Sequence, residues 1–547
     1  MANHSQFVFR STDTIGSAGA EDDREFLKSC FVDTGSLGLL VKPSDNRRIV
    51  LGRTGAGKSA LLSALEDHEP DRVIRISPEH LALTYVTNST ILSFFGGIGV
   101  NLDPFFKLLW RHVLAVEILS RHFQRHPDPE DRPVLQRLRA MFLGASKHDK
   151  EMKQAVQYLD DWGQTFWQDT EYRVKEITSQ FETKLEGEAK AALGPKNALI
   201  SSGVRAADAF SETETAELIT RGQNVVSSAQ IQDLSKILKL IDSILDDKQD
   251  RYYIVIDGLD ENWVEDRARY KLIMALLQTA RDFGPVRHVK IIVGIRRDLI
   301  ERVFRLTRDS GFQEEKYQSL YLPLTWSRDE IIEVLDRRIG KLVASRYTKA
   351  AVTHKDLLPP EHKNRPIKDY IYSIAPRPRD VISFFNTCIL AAAEHPALET
   401  ETLRLAEGDY SRNRLKALAD EWSADYPMLV DFAAILQKRP ASFELSTVSD
   451  AQIDELCLTV AAGAPARLGV LGSAMQVVDR DMNSSEFKFA LFKTFYQVGL
   501  VGLKVGPRES ESWADETGKS VSSAEITDAT IAVVHPAFRR SLGIQET

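Results

Sequence analysis

Eight consecutive residues, Gly52-Arg53-Thr54-Gly55-Ala56-Gly57-Lys58-Ser59, fill every fixed position of the pattern G-x-x-x-x-G-K-S. Glycines at these spacings let successive backbone N–H groups curl around a phosphate, at the start of a helix whose N-terminus already favours anions. The Lys58 amine is placed to reach β- and γ-phosphates, and the Ser59 hydroxyl to complete a Mg²⁺ shell. The flanks agree with that chemistry. Arg48-Ile49-Val50-Leu51 reads as a buried strand, and Ala60-Leu61-Leu62-Ser63-Ala64-Leu65 opens a helix. Strand, glycine loop and helix is the context that turns the pattern into a phosphate site.

A second stretch supplies the carboxylates. Tyr252-Tyr253-Ile254-Val255-Ile256 is an apolar strand followed by Asp257-Gly258-Leu259-Asp260-Glu261. An aspartate at the C-terminal end of such a strand is placed to hold Mg²⁺. A third strand, Val289 to Ile295, ends in Arg296-Arg297-Asp298. Ligands of open α/β sheets bind beyond the C-terminal ends of strands, so Arg296 is positioned to sense a γ-phosphate. Asp71 to Ile76 alternates as a further strand, and Ser319 to Leu322 is a short fourth candidate.

Residues 60–251 separate the two motifs, far more than the ~30 residues of a βαβ unit. The excess, about residues 100–248, carries helical periodicity. Val174, Ile177, Phe181 and Leu185 step by three and four, and Ile231, Leu234, Leu238, Ile241 and Leu245 repeat 3-4-3-4. Two readings stay open: a helical subdomain packed on the core, or an arm that reaches a partner. The aromatic load between Phe94 and Trp110 reads as core.

Length and composition set the frame. A chain of 547 residues exceeds one ordinary core, and 43% hydrophobic with 27% charged residues is a globular balance. A net charge of −8 argues against a protein devoted to non-specific nucleic-acid binding. Cys30, Cys388 and Cys457 lie too far apart for metal or redox spacing and read as reduced thiols of a cytoplasmic protein. His122 and His126 share i, i+4 spacing, but no third ligand lies nearby, so they read as surface histidines. The polar N-terminus has no apolar signal core, and no stretch approaches the ~20 apolar residues of a membrane span.

Downstream, Ser327-Arg328-Asp329-Glu330 spells a capping box that opens a helix, and Pro376-Arg377-Pro378-Arg379-Asp380 precedes another. The last part has helices through Phe489–Leu500, a strand at Val501–Val505, a polar loop and a strand at Ala529–His535. That order suggests a winged helix. The expected organisation is α/β: a flexible arm over residues 1–24 and a parallel-sheet core over 25–322 with the helical insertion. A helical lid over 323–400 and a winged-helix-like α+β domain over 401–547 follow.

The loop GRTGAGKS, the strand ending DGLDE, and the lid followed by a winged-helix-like domain together resemble the AAA+/STAND branch of P-loop ATPases, with DGLDE closest to NACHT and KAP-like forms. The resemblance implies ATP with Mg²⁺ as ligands, held by Gly52 to Ala60 with Ser59 and Asp257 on the metal. It implies that Glu261, with Asp260, polarises the attacking water. Arg296 becomes the γ-phosphate sensor, Arg297 a finger reaching a neighbouring subunit, and Arg377 or Arg379 the lid arginine that closes on nucleotide. ATP over GTP rests on the resemblance, since no N-K-x-D guanine motif follows. The implied function is a slow, cytoplasmic bacterial ATPase switch that controls self-assembly or a protein effector, in signalling or antiviral defence. The competing expectations are a DNA-loading initiator or transposition-helper ATPase and a nucleotide-stabilised scaffold. Between Val501 and Thr547 the bases Lys504, Arg508, Lys519, Arg539 and Arg540 are outnumbered by Glu509, Glu511, Asp515, Glu516, Glu525, Asp528 and Glu546. A domain that grips duplex phosphates needs the opposite balance, which favours protein docking over nucleic acid.

Overall fold

The computed structural model describes residues 8–81, 83–125, 136, 170–194, 210–230, 238, 241–242, 244–245, 251–261, 263–264, 266–307, 314–393, 398–423, 425–462, 469–506, 509–514 and 521–545. The chain divides into two compact units. One comprises Gly35–Gly52 and Lys58–Leu324; the other comprises Met1–Thr34, Arg53–Gly57 and Thr325–Thr547.

The first unit is built on a five-stranded parallel sheet in the order β2-β3-β4-β1-β5, with β1 at Ile49–Gly52, β2 at Val73–Ile76, β3 at Tyr252–Ile256, β4 at Val289–Arg296 and β5 at Tyr321–Pro323. Every residue of β1 and β3 is buried, as expected of parallel strands covered on both faces. The short edge strand falls at Tyr321–Pro323 rather than Ser319–Leu322, because a 3₁₀ turn over Glu314–Leu320 precedes it. Helices follow each strand, including Lys58–His68 after β1 and Arg297–Leu306 after β4.

The insertion helices Asp103–Arg125, Thr170–Leu193 and Glu212–Gln230 share one apolar core with this sheet. Val174, Ile177, Phe181 and Leu185 are all buried, and Phe181 stacks on Phe105 at 4.1 Å between ring centroids. The Trp110 indole donates to Leu272 O at 2.9 Å from within that core. For the described residues the insertion is therefore a packed subdomain. Ile231 and Leu234 of the expected seam lie outside the described residues. His122, expected at the surface, is buried with its Nδ1 3.3 Å from the Tyr252 hydroxyl, because its helix face turns onto β3. His126 lies outside the described residues.

The second unit contains a helical region and an α+β region. The capping box forms as spelled, with Ser327 and Glu330 bonding reciprocally at the start of helix Arg328–Arg346. After a two-residue hairpin pair, β6 at Glu361–His362 and β7 at Arg365–Pro366, come helices Ile367–Ile374 and Pro378–Ala391. Helix Thr400–Trp422 buries Leu403, Ala406, Tyr410, Leu415 and Leu418 in an apolar cluster shared with the helices before it and the α+β region after it. The remainder is a three-stranded antiparallel sheet in the order β8-β10-β9, with β8 at Ser442–Glu444, β9 at Val501–Lys504 and β10 at Ile531–Val534. Helices Asp450–Ala462, Gly469–Val478 and Ser484–Val498 lie between β8 and β9 in sequence. The short β8 was not legible in the sequence.

The expectation of a flexible arm is overturned for residues 8–23. Ile15 is fully buried, and the Asn386 side chain accepts from Ile15 N at 2.9 Å and donates to Gly16 O at 2.9 Å. Arg338 and Asp23 form a buried ion pair at 2.5 Å, with Arg338 also donating to Ile15 O. Three apolar residues, Phe9, Ile15 and Val32, join the helical cluster, which the polar composition concealed. Removing one partner of a buried pair strands the other charge. Asp23→Ala is expected to lower unfolding free energy by about 3–5 kcal/mol, read as a lower urea midpoint. A midpoint equal to the wild type's contradicts the strap.

Candidate functional site

Parallel pairing gathers the C-terminal strand ends of the first unit. Gly52, the last residue of β1, lies beside Arg296 of β4, and Ile256 of β3 lies beside Val293. Asp257 therefore emerges close to the helix that starts at Lys58. Its Oδ2 accepts from the Ser59 hydroxyl at 2.9 Å, joining the two motifs across the insertion. The approach is tight: a Cβ at Gly294 would sit 2.8 Å from Asp257 Oδ1 and 3.0 Å from Leu62 Cδ1, so β4 must be bare there. Lys58 donates to Gly52 O at 3.2 Å. Burial pushes its amine below the usual lysine range, partly offset by Asp260 and Asp257.

Asp257 leads into a turn in which Glu261 N donates to Gly258 O at 3.2 Å, and Arg269 fixes the Glu261 carbonyl at 2.9 Å. The Glu261 carboxyl is pushed upward, first by desolvation and then by Glu79, Asp260 and Asp257. Glu79 sits in the 3₁₀ turn after β2. Sequence reading missed it; the signal was its place just beyond the end of the strand that pairs with β3. Arg296 is held in a fork by Asp298, at 3.0 and 2.7 Å, with Asp260 3.6 Å away. The second missed residue, Asp298, thus sets where Arg296 rests. Arg297 lies apart, half-exposed, 3.9 Å from Glu301 on its own helix.

The loop tip Arg53–Gly57 belongs to the second unit, where donors and acceptors engage it residue by residue. Arg53 donates to Val498 O at 3.0 Å and Gln497 O at 2.8 Å. The Thr54 hydroxyl donates to Glu421 at 2.7 Å, and Arg377 donates to Thr54 O at 3.1 Å. The backbone N–H of Arg379 donates to Gly55 O at 3.3 Å while its guanidinium donates to Ala18 O at 3.1 Å. Trp326 donates its indole N–H to Ala56 O at 2.8 Å. Both candidate lid arginines are thus held on loop carbonyls, on Asp380 and on the strap. Trp326, Glu421 and the 497–498 carbonyls carried no sequence signal.

Behind these contacts lies a buried charge cluster. Asp380 pairs with Arg377 at 2.6 Å and Arg414 at 3.4 Å. Burial pushes its carboxyl up, and the two guanidiniums together outweigh burial and hold it below the usual range. His535 packs beside them against Trp513 and Phe538, its Nδ1 accepting from Ala537 N at 3.2 Å.

Fold and geometry define an α/β chain with a glycine loop and an acidic strand end brought into hydrogen-bond contact, joined to a helical and α+β unit. Residues 329–419 match the FunZ-associated C-terminal helical domain, a stretch that begins in the expected lid and runs past its expected end at residue 400. The chain is also 32% identical over 117 residues to an 80.3 kDa protein ascribed to transposon gamma-delta of Escherichia coli (strain K12). That match takes in 21% of this chain and 16% of the relative. Among the described residues no helix is long and apolar enough to cross a membrane.

The buried histidine gives this unit a pH dependence. Burial and then Arg377 push His535 down to about 3, against an ordinary 6.5. The unfolded chain therefore binds a proton that the folded chain refuses between those values, so stability falls as pH drops below about 6.5. Moving from pH 7 to pH 5 is expected to cost the wild type roughly 1–2 kcal/mol more than His535→Gln, measured by urea unfolding at both pH values. Equal losses contradict the assignment.

Proposed function

We propose that this chain is a Mg²⁺-dependent ATPase of P-loop type that works as a nucleotide-driven switch over self-assembly or a protein effector. The observation that carries the reading is the Ser59–Asp257 contact at 2.9 Å. A hydroxyl from a glycine-loop helix and a carboxylate from the end of β3, one strand removed in the sheet, converge from opposite sides of a long insertion and are the two side-chain donors that a nucleotide-bound magnesium takes. They fit that ion, since both are hard oxygen donors. Magnesium takes one or two protein oxygens and completes its shell with phosphate and water. When bound, it neutralises charge on the β- and γ-phosphates.

The remaining roles fall to this chain's residues. Loop N–H groups and Lys58 bind phosphate, and β1 stands between β4 and β5, neither its neighbour in sequence, where such sheets open a crevice. Glu261 orients the attacking water, its carboxyl raised above the ordinary range by desolvation and by the neighbouring acids. Arg296, released from its Asp298 fork, is available to a γ-phosphate. The helical region is the lid, the α+β region a winged-helix-like module, and their placement relative to bound nucleotide is what a partner reads. Hydrolysis is slow, since a switch requires a long-lived bound state. The setting is a bacterial cytoplasm, with signalling or antiviral defence as the context.

A second reading has one specific support. The similarity to a transposon-encoded protein favours an ATPase that acts on DNA, with the α+β module as its contact, and the acidic balance of residues 501–547 weighs against it. One experiment separates the two. The switch predicts turnover unchanged by duplex DNA, and a Glu261→Gln variant that holds ATP at least tenfold longer and shifts to a larger particle on sizing. Turnover that rises several-fold with DNA and falls with salt transfers the chain to the second reading. Glu261→Gln turning over at the wild-type rate removes Glu261 from catalysis.

A further inference from the structure

Each of the three peptides at the loop tip has its carbonyl oxygen held by a donor. Thr54 O accepts from Arg377 Nη1, Gly55 O from Arg379 N, and Ala56 O from Trp326 Nε1. Among the described residues every peptide bond is trans. In a planar trans peptide the carbonyl of one residue and the N–H of the next point in opposite directions. Fixing Thr54 O and Ala56 O therefore aims the Gly55 and Gly57 N–H groups away from those donors, toward the opposite face of the loop. The N–H of the middle peptide turns back within the loop, with Ala56 N donating to Arg53 O at 3.1 Å. The loop's curvature depends on the same contacts. Gly55 adopts φ +80°, and a Cβ there would sit 2.6 Å from Arg379 Cβ.

Arg53 completes the arrangement from its own side chain. Its two donations to Gln497 O and Val498 O cap the C-terminal end of helix Ser484–Val498, where carbonyls lack partners and the dipole is negative. Gly499 ends that helix at φ +80°, and a Cβ there would meet Arg53 Nη1 at 2.5 Å, so helix end and arginine are fitted to each other.

We propose that the outer face of the loop tip is a read-out surface. Trp326 and Arg53 are positioning residues that couple phosphate occupancy of the inner face to docking of the helical and α+β regions. This inference rests on the nucleotide reading above. The donors hold the N–H groups in their phosphate-facing orientation before ligand arrives, and bound phosphate in turn favours the conformation whose carbonyls the donors grip. Such coupling is reciprocal: whatever loosens the grip weakens phosphate binding by the same factor that phosphate strengthens the grip.

The test uses the full chain and a non-hydrolysable Mg²⁺–ATP analogue, with affinity by titration and hydrogen exchange at the amides of residues 484–504. Trp326→Phe keeps an aromatic ring but loses the indole N–H; Arg53→Ala loses the helix cap. Each is expected to weaken analogue binding three- to tenfold, the scale of one or two hydrogen bonds. In turnover each raises KM and leaves kcat near the wild-type value. The analogue is expected to slow exchange at the end of helix Ser484–Val498 in the wild type and to lose that effect in Arg53→Ala. A wild type that does not bind the analogue overturns the nucleotide reading and the coupling with it. A wild type that binds, with both variants within twofold of it, overturns the coupling alone.

Discussion

Everything proposed for this chain depends on parallel strand register. Pairing of β1, β3 and β4 in one sheet brings their C-terminal ends together, and with them Gly52, Asp257 and Arg296. The 2.9 Å bond between Ser59 and Asp257 is the consequence, made by residues separated in the chain by a whole helical subdomain. A slip of one residue in β3 would turn its side chains to the other face and carry Asp257 away from Ser59.

A second constraint operates on the loop itself. Its glycines permit left-handed backbone, but permission does not select a conformation. Selection comes from donors that occupy its carbonyls and from an arginine spent on a helix end. The strap at residues 8–23 belongs to the same system. It holds Arg379 through Ala18 O and is itself pinned by Asp23 on Arg338 and by Asn386. A stretch with the composition of a loose terminus thus bears on the glycine loop through two intervening contacts.

The legible and illegible parts of this protein divide along physical lines. Strands β1, β3 and β4, the helix after the loop, the capping box at Ser327 and the apolar face of helix Thr170–Leu193 were readable, because each is a local pattern with a local cause. The motif carboxylate Asp257 was readable for the same reason. Glu79, Asp298 and Trp326 were not: each is an ordinary residue whose importance comes from a neighbour brought near only by folding. The strap was misread because two apolar residues, Phe9 and Ile15, among many polar ones suffice with its polar contacts to anchor it.

The central claim is that the loop binds nucleotide phosphates with Lys58 as their charge partner. The most direct measurement is calorimetric titration of the full chain with ATP and Mg²⁺, beside Lys58→Ala. The account predicts saturable, magnesium-dependent binding of one ATP per chain and its loss in the variant, with folding of both confirmed by thermal melting. A folded wild type that takes up no ATP, or a Lys58→Ala chain that binds as tightly as the wild type, would contradict it.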